Sequence, residues 1–216
     1  MRLHAFYRSS TSYRVRIALN LKRLDYEIVP VDLAGAQQRS DAFRALNPFA
    51  GVPLLEAEGR RYAQSMAIIE WLEERHPVPP LLPGGIEDRF IARELTYAIA
   101  TELHGPLNLP VLQYLKREFG QDQASIDKWY RHWLAKTLQP LEQRLAGLAA
   151  GDFLFGTPGL FEVVLIPQLY NARRFDFDLE AMPHMRRIEA ACLALPAFAA
   201  AHPDDQPDSP AKEMTQ

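Results

Sequence analysis

Hydrophobic and polar positions alternate differently in the two halves of the chain. In the first half, short apolar runs typical of strands alternate with segments whose apolar residues recur every three or four positions, as in helices. The predicted elements are, in chain order, a strand over 3–6, a helix over 17–24, a strand over 26–31, a helix over 41–46, strands over 52–56 and 60–63, and a helix over 65–75. This order predicts a mixed four-stranded sheet with helices on its faces.

The second half shows no strand pattern. It follows a proline-rich segment at residues 76–85, which is too poor in backbone donors to form a helix. The periodicity beyond this segment predicts helices over 88–118, 125–148, 160–173 and 183–195. Pro106, Pro110 and Pro140 are expected to kink or interrupt the first two of these helices.

These patterns divide the chain into two domains. Its 216 residues are enough for one large domain or two small ones. We expect an α/β domain over residues 1–80 and an all-α domain over residues 87–216. The tail from His202, which combines prolines with acidic and small residues, is expected to be loosely ordered.

The composition excludes several classes of function. A net charge of −3 gives no electrostatic basis for binding nucleic acid or an anionic membrane. No apolar run approaches the roughly 18 residues that indicate a membrane-spanning helix. The N-terminal residues lack the layout of a signal peptide, and Cys192 is the only cysteine, which excludes an internal disulfide and a paired-cysteine metal site. We expect a protein of a reducing compartment, the cytoplasm.

A cluster of hydroxyl groups lies where the first strand leads into the first helix. It consists of Ser9, Ser10, Thr11 and Ser12, with an arginine on either side. The N-terminus of a helix presents free backbone N–H groups and the positive end of the helix dipole, so both stabilise an anion bound there. The stretch contains no thiol, and we expect the anion to arrive with a ligand. The alternative is ordinary helix capping, which needs only one of the four hydroxyls.

Two further places in the first half are candidates for ligand binding. A cis bond at Val52-Pro53 would turn the backbone N–H and C=O of Val52 outward to pair with an extended peptide, whereas a trans edge proline is the ordinary case. Ser65 is predicted as the N-cap of the helix over 65–75. Ile68 stands where a capping box needs Glu or Gln, so Ser65 has no reciprocal partner. Ser65 would therefore either cap the helix alone or help to bind a carboxylate at the helix N-terminus.

The second half also offers two candidates. His104 and Asn108 lie four residues apart and would share one face of a regular helix, although Pro106 disturbs that geometry. They would either be structural or line a cleft between the domains. Arg173 and Arg174 end the third predicted helix of this half. They would stabilise the helix end as solvated cations, or one of them would fork onto a carboxylate.

These pieces, in this order, resemble the zeta class of the glutathione transferase superfamily across essentially the whole chain. The most specific stretch is residues 8–19, RSSTSYRVRIAL, which is similar to the zeta pattern of Ser-Ser-Cys-Ser, an aromatic residue and Arg-Val-Arg-Ile-Ala-Leu. The resemblance implies a thioredoxin-like domain followed by a helical domain, paired as a homodimer. Supporting matches are ALNP at 45–48, VPLL at 52–55, QSMAIIEWLEE at 64–74, IPQ at 166–168, NARRF at 171–175 and QPDSP at 206–210.

The resemblance further implies that glutathione is the cofactor and supplies the missing thiol. Ser10, with Ser9 beside it, would hold the sulfur as a thiolate. The backbone of Val52, before a cis Pro53, would pair with the cysteinyl part. Ser12 and Arg8 would support catalysis. Gln64 and Ser65 would bind the γ-glutamyl end of glutathione, and Gln38 would bind its glycine end. The implied contacts with the substrate are Arg8, His104, Asn108 and Arg174.

The reaction that the resemblance implies is a cis–trans isomerisation. In this family a thiolate adds to the double bond of a cis keto acid with two carboxylates, the resulting single bond rotates, and elimination returns the trans isomer without consuming glutathione. Maleylacetoacetate or a close analogue is the expected substrate. The alternatives are maleylpyruvate, broad conjugation of electrophiles, or a non-catalytic binding protein of the same fold. A thiol–disulfide oxidoreductase is disfavoured because the turn after the first strand has no cysteine.

Besides Tyr13, which stands where the motif often has Trp or His, three places depart from the zeta pattern. Thr11 replaces the cysteine of the motif, so a side activity that relies on that cysteine is not expected. Leu109-Pro110 replaces an arginine pair of maleylpyruvate isomerases, which leaves fewer cations for a dicarboxylate. Gly159 and Glu162 replace the threonine and aspartate that cap the corresponding helix, and we expect Glu162 to reach back to the start of that helix.

Overall fold

The computed structural model describes residues 1–148 and 150–213 and divides them into two compact units. The first unit is Met1–Leu81 together with the described residues from Leu193 onward. The second unit is Leu82–Cys192. Each unit has its own buried core.

The first unit contains a mixed four-stranded sheet. The strand β1 pairs in parallel with β2 and antiparallel with β3, which pairs antiparallel with β4, so the order is β2-β1-β3-β4. The four-stranded mixed sheet predicted from the sequence is therefore confirmed. Leu3 is fully buried at its centre. The elements are β1 (Arg2–Ala5), α1 (Ser10–Leu21), β2 (Glu27–Pro30), α2 (Asp41–Leu46), β3 (Leu54–Ala57), β4 (Arg60–Ala63) and α3 (Ser65–Arg75).

Helix α1 begins at Ser10, well before the predicted start at residue 17, and ends at Leu21. Every residue from 12 to 19 is buried, because α1 packs against α3 and against the C-terminal segment of the chain. A helix that is buried on all sides shows no polar stripe. For this reason the hydrophobic periodicity located only its second half.

The second unit is entirely helical. A π-helical stretch, Ala98–Leu103, lies between its first two α-helices. Among the described residues, none of the helices combines the length and the apolar composition needed to cross a membrane. The α-helices are α4 (Ile86–Tyr97), α5 (His104–Leu107), α6 (Leu109–Glu118), α7 (Gln123–Gly147), α8 (Leu160–Arg174) and α9 (Pro183–Leu193).

The prolines of the second unit have different effects on its helices. The predicted helix over 88–118 is interrupted at Asn108, between Pro106 in α5 and Pro110 in the first turn of α6, as expected. Pro140, by contrast, lies within α7 and does not interrupt it. Both Pro140 and Lys136, whose carbonyl loses its usual N–H partner, are exposed. Water can therefore satisfy that carbonyl, and the helix continues.

Helix α8 is the most buried helix of the second unit, with twelve of its 15 residues buried. The side chain of Glu162 fixes its start by accepting hydrogen bonds from the Gly159 N–H at 2.8 Å and the Leu154 N–H at 2.7 Å. The predicted reach of Glu162 to the start of the helix is confirmed. The residue is only 1 % exposed, and burial raises the pKa of its carboxyl more than the two N–H groups lower it.

Raising the pH is expected to reduce the contribution of Glu162 to stability. A carboxyl whose pKa is raised by folding binds more protons in the folded chain, so the free energy of unfolding falls as the pH rises above the ordinary value of 4.5. The matched control, Glu162→Gln, cannot ionise. Urea denaturation of both proteins at several pH values measures their free energies of unfolding. As the pH rises, the free energy of unfolding of the unmodified protein should fall relative to that of the variant. A difference that is constant or moves the other way contradicts this expectation.

The last described segment is ordered. It contains α10 (Pro196–Ala199), a 3₁₀ turn at Pro203–Asp205 and α11 (Pro210–Glu213). The expectation of a loosely ordered tail is therefore wrong for the described residues from His202 to 213. Gln206 is buried and holds the segment, because its side-chain nitrogen donates hydrogen bonds to two carbonyl groups of the preceding turn.

This segment packs with the α/β part of the chain, whereas the domain predicted over 87–216 placed it with the helices. Two side chains of α1 account for the difference. The amide of Asn20 donates a hydrogen bond of 2.8 Å to the carbonyl of Ala197. The guanidinium of Arg16 donates one of 3.0 Å to the carbonyl of Ala201.

Candidate active site

A chain of hydroxyl groups connects the start of α1 to the loop before β3. Ser9 caps α1, because its hydroxyl accepts a hydrogen bond from the Ser12 N–H at 3.3 Å. Thr11 donates its hydroxyl proton to the carbonyl of Val52 at 3.0 Å. The contact of 2.9 Å between the Ser9 and Thr11 hydroxyls therefore has Ser9 as its donor. Helix capping thus accounts for Ser9, but not for the remaining hydroxyls.

Ser10 and Ser12 lie within the first turn of α1 and are buried. The Ser10 residue is 8 % exposed, and its hydroxyl has no hydrogen-bond partner among the described residues. The Ser12 hydroxyl is also buried without a partner in the described part of the chain. An unsatisfied buried hydroxyl costs on the order of 1–3 kcal/mol, which makes the Ser12 hydroxyl a candidate for contact with a ligand. The unpartnered Ser10 hydroxyl is a second candidate, because it lies at the helix N-terminus.

The first turn of α1 also presents backbone donors. The N–H groups of Ser10 and Thr11 have no acceptor among the described residues, since the first helical bond runs from the Tyr13 N–H to the Ser9 carbonyl. Together with the Ser10 hydroxyl they provide three donors at the positive end of the helix dipole. These donors are of the kind that the predicted anion-binding turn requires.

The peptide bond Val52-Pro53 is cis, as the sequence resemblance implied. Asn47 holds the loop that precedes it, because its side-chain nitrogen donates a hydrogen bond of 2.8 Å to the carbonyl of Gly51. The Val52 N–H has no acceptor among the described residues. Val52 therefore presents a free backbone donor beside a carbonyl that Thr11 already contacts.

Gln64 and Ser65 form the start of α3. The prediction that Ser65 is the N-cap is wrong: Ser65 is the first helical residue, and Gln64 occupies the cap position without a side-chain hydrogen bond to the helix. Gln64 has φ 70° and ψ 112°, a conformation that costs a non-glycine residue roughly 1–3 kcal/mol. Because no cap satisfies this helix start, its N–H groups and the buried Ser65 hydroxyl are available to a carboxylate.

Gln38 and Arg8 are the other candidates in the first unit. Gln38 lies in the 3₁₀ turn Gln37–Arg39 and is buried, and its side-chain oxygen has no partner among the described residues. Arg8 is exposed and makes no ion pair with a carboxylate in the described part of the chain. Its guanidinium carbon lies 5.8 Å from the centre of the Tyr7 ring, within range of a cation–π contact.

In the second unit, Arg173 and Arg174 have different environments. Arg173 forks onto Glu189, and the contact from its Nη2 to the Oε2 of Glu189 is 2.6 Å. Arg174 donates a hydrogen bond of 3.1 Å to the side-chain oxygen of Asn171. Because an internal carboxylate already occupies the fork of Arg173, Arg174 is the better candidate for binding a substrate carboxylate.

His104 and Asn108 do not lie on one regular helix. His104 begins α5, directly after the π-helical stretch, and this short helix ends at Leu107. Asn108 is exposed, has an extended backbone with φ −66° and ψ 143°, and precedes α6. The shared helical face considered from their spacing is therefore absent. Asn108 is instead the N-cap of α6, and Pro110 lies in the first turn of that helix, where its missing N–H costs no helical bond.

Sequence reasoning missed two features of the first unit. It placed Thr11 in the hydroxyl cluster and noted its departure from the motif but gave it no role, although Thr11 hydrogen-bonds to both Ser9 and the Val52 carbonyl. It also recorded QPDSP at 206–210 as a match without a role, although Asp208 contacts the backbone just before Arg8. Neither contact is visible locally, because each joins residues far apart in the chain.

Comparison with known proteins identifies the family. Residues 3–80 match the family described as "Glutathione S-transferase, N-terminal domain". The chain is 44% identical over 216 residues to the maleylacetoacetate isomerase of Pseudomonas aeruginosa, an alignment that covers 98% of this chain and 100% of the relative.

Two solved structures have nearly the same fold. One is a holo structure of a maleylpyruvate isomerase, described as a bacterial glutathione S-transferase of the zeta class, with a TM-score of 0.95 and 43% identity over 97% of this chain and 100% of that one. The other is a maleylacetoacetate isomerase from Methylobacterium extorquens AM1 with bound malonate and glutathione, with a TM-score of 0.93 and 35% identity over 97% and 100% of the two chains. This chain therefore belongs to the glutathione transferase family, and within it to the zeta class that contains the maleylacetoacetate and maleylpyruvate isomerases.

Proposed function

We propose that this protein is a glutathione-dependent cis–trans isomerase of maleylacetoacetate or a close analogue. The observation that carries the proposal is the set of three unpartnered donors in the first turn of α1, where a thiolate can be stabilised although the chain has no cysteine there. The similar protein from Methylobacterium extorquens was solved with glutathione and with malonate, which is a dicarboxylate. Both ligands agree with the proposed cofactor and substrate class.

Polar groups of the first unit are assigned to each part of glutathione. The uncapped start of α3, with Gln64 and Ser65, suits the carboxylate of the γ-glutamyl end. The backbone of Val52 suits the cysteinyl peptide groups, because its N–H has no other acceptor. The buried, partly unsatisfied amide of Gln38 suits the glycine end. We assign Pro53 the role of completing the loop that presents Val52.

The side chains at the start of α1 control the charge on the cofactor. Bound glutathione supplies a thiol whose addition to and elimination from the substrate double bond permits rotation. The Ser10 hydroxyl and the N–H groups of Ser10 and Thr11 stabilise negative charge at this point, which lowers the proton affinity of any thiol bound there. Ser9 keeps the first turn in place by capping it, and the buried Ser12 provides a further hydroxyl.

The cationic side chains select an anionic substrate. In the first unit Arg8, which makes no internal ion pair among the described residues, is the proposed ligand of one substrate carboxylate. In the second unit Arg174 has the same proposed role, with His104 and Asn108 as further polar contacts. Guanidinium groups suit this task, because they bind carboxylates through two parallel hydrogen bonds and stabilise charge that develops on substrate oxygens.

Thr11→Val is expected to weaken glutathione binding about tenfold, because it removes the hydroxyl that joins Ser9 to the Val52 carbonyl. Isothermal titration calorimetry measures the effect. Thr11→Ser should restore most of the affinity. Thr101→Val is a matched control, since Thr101 also donates to a backbone carbonyl but lies in the π-helical stretch of the second unit. Equal affinity of Thr11→Val and the unmodified protein contradicts the assigned role.

A direct assay of isomerisation identifies the substrate. It compares maleylacetoacetate with maleylpyruvate, each with and without glutathione. We expect glutathione-dependent isomerisation with a preference for maleylacetoacetate, since Leu109 and Pro110 replace the arginine pair of maleylpyruvate isomerases. A preference for maleylpyruvate favours the second candidate, which the TM-score of 0.95 to a maleylpyruvate isomerase supports. Turnover without glutathione, or none with it, contradicts the proposed function.

We also propose that the protein is a homodimer of the cytoplasm, as the family resemblance implies. Phe49, in the loop between α2 and β3, exposes 72% of its surface and is a candidate for burial against a second copy. Sedimentation equilibrium of the purified protein decides the oligomeric state. A dimer agrees with the proposal, whereas a monomer at micromolar concentration contradicts it.

A further inference from the structure

The peptide groups on both sides of Tyr7 are held by charged side chains. The Tyr7 N–H donates a hydrogen bond of 2.9 Å to the Oδ2 of Asp208, which lies 201 positions away in the sequence. The Tyr7 carbonyl accepts one of 2.9 Å from the Nη2 of Arg16. Hydrogen bonds to charged groups are stronger than those between neutral groups. Both Tyr7 backbone groups are therefore strongly held, directly before Arg8 and the cap residue Ser9.

Arg16 is itself fixed in position. It is fully buried in α1, and its Nε donates a hydrogen bond of 3.0 Å to the carbonyl of Ala201 in the C-terminal segment. Its guanidinium carbon lies 5.2 Å from the centre of the Tyr13 ring. A guanidinium held at this many points defines the position of the Tyr7 carbonyl closely.

Asp208 is equally well placed. Gln206, two residues before it, holds the turn at 200–202 through two hydrogen bonds, and Ser209, directly after it, is 1% exposed. The second carboxylate oxygen of Asp208 is buried without a partner among the described residues. Burying such an oxygen is unfavourable for stability, so stability alone does not account for a carboxylate at this position.

We propose that Asp208 and Arg16 are positioning residues that fix the Tyr7 peptide groups and thereby the backbone of Arg8 and the start of α1. The proposal rests on the proposed function in so far as Arg8 and Ser10 act on substrate and cofactor. It gives the QPDSP segment a role: the C-terminal segment sets the geometry of the anion-binding turn. Displacements of about 1 Å in such a turn reduce turnover by up to roughly 10²-fold.

The experiment compares Asp208→Ala, Asp208→Asn and Asp205→Ala in the full chain. The asparagine variant keeps an oxygen that can accept the Tyr7 N–H. Asp205→Ala is the matched control, because Asp205 is an exposed carboxylate of the same segment whose side chain has no partner among the described residues. The first measurement is hydrogen exchange of the Tyr7 amide in the ligand-free protein, followed by NMR or by mass spectrometry of the N-terminal peptide.

We expect the Tyr7 amide to exchange about tenfold faster in Asp208→Ala, while the asparagine variant and the control exchange like the unmodified protein. The value of kcat/KM for the keto acid should fall about tenfold in Asp208→Ala and recover in Asp208→Asn, with little change in melting temperature. Unchanged exchange at Tyr7, or equal behaviour of Asp208→Ala and Asp205→Ala, overturns the proposal. Because exchange is measured without glutathione or substrate, it decides this proposal even if the unmodified protein proves not to be an isomerase.

Discussion

Replacing Ser9 and Ser10 together by alanine is expected to reduce glutathione-dependent isomerisation by roughly 10³-fold. The double variant removes the hydroxyl of Ser10, which has no partner among the described residues and belongs to the residue with the first free N–H group. It also removes the Ser9 hydroxyl, which caps the turn. Backbone donors remain, so binding of glutathione should persist while the ionised fraction of its thiol falls. Steady-state kinetics at saturating glutathione measure the effect.

The two single variants separate capping from catalysis. Ser9→Ala removes a cap, which costs about 1 kcal/mol of stability, and also breaks the hydrogen bond to Thr11. Ser10→Ala leaves the cap intact and should reduce activity with little loss of stability. Asp122→Ala is the control, since it removes the cap of α7 in the second unit. A double variant that retains the full rate contradicts the proposed role of this turn.

Replacing Arg8 and Arg174 together by alanine should reduce isomerisation of the keto acid by roughly 10³-fold, because two guanidinium ligands of substrate carboxylates are lost. The loss should appear both in kcat and as a higher KM. Conjugation of glutathione to an uncharged electrophile should change little, since it needs no carboxylate ligand. Parallel assays of the two reactions on one protein preparation measure this difference.

Conservative variants test whether the arginines bind carboxylates or only maintain structure. Arg174→Lys keeps the charge but loses the fork, so it should recover only part of the activity. Arg117→Ala removes another exposed arginine of the second unit and is the matched control. Equal loss of isomerisation and conjugation would show a structural role. Full isomerisation in the double variant would instead favour a broad glutathione transferase.

Parts of the fold that carry a clear amphipathic pattern could be predicted closely. Helices α2 and α3 have the predicted bounds, because each has a polar face that makes its periodicity visible. Helix α1 was located only in part, since it is buried on all sides. The tail was misjudged from its prolines and acidic residues, because its order depends on a buried glutamine and on contacts with α1.

The candidate site was predictable where it depends on residue types in one local motif. The hydroxyls at the start of α1 and Val52-Pro53 belong to this group. The cap position of Gln64 was missed, because a left-handed φ at a glutamine has no sequence signal. The roles of Thr11 and Asp208 depend on hydrogen bonds across 41 and 201 positions, which no local pattern can indicate.

The most direct measurement is the pKa of the glutathione thiol in the complex, followed by the ultraviolet absorbance of the thiolate as the pH is raised. The thiol should ionise well below its ordinary pKa of about 8.5 in the unmodified protein and return toward that value when Ser9 and Ser10 are both alanine. A thiol that titrates in the unmodified protein as it does in free solution would contradict the claim that the first turn of α1 stabilises it as an anion.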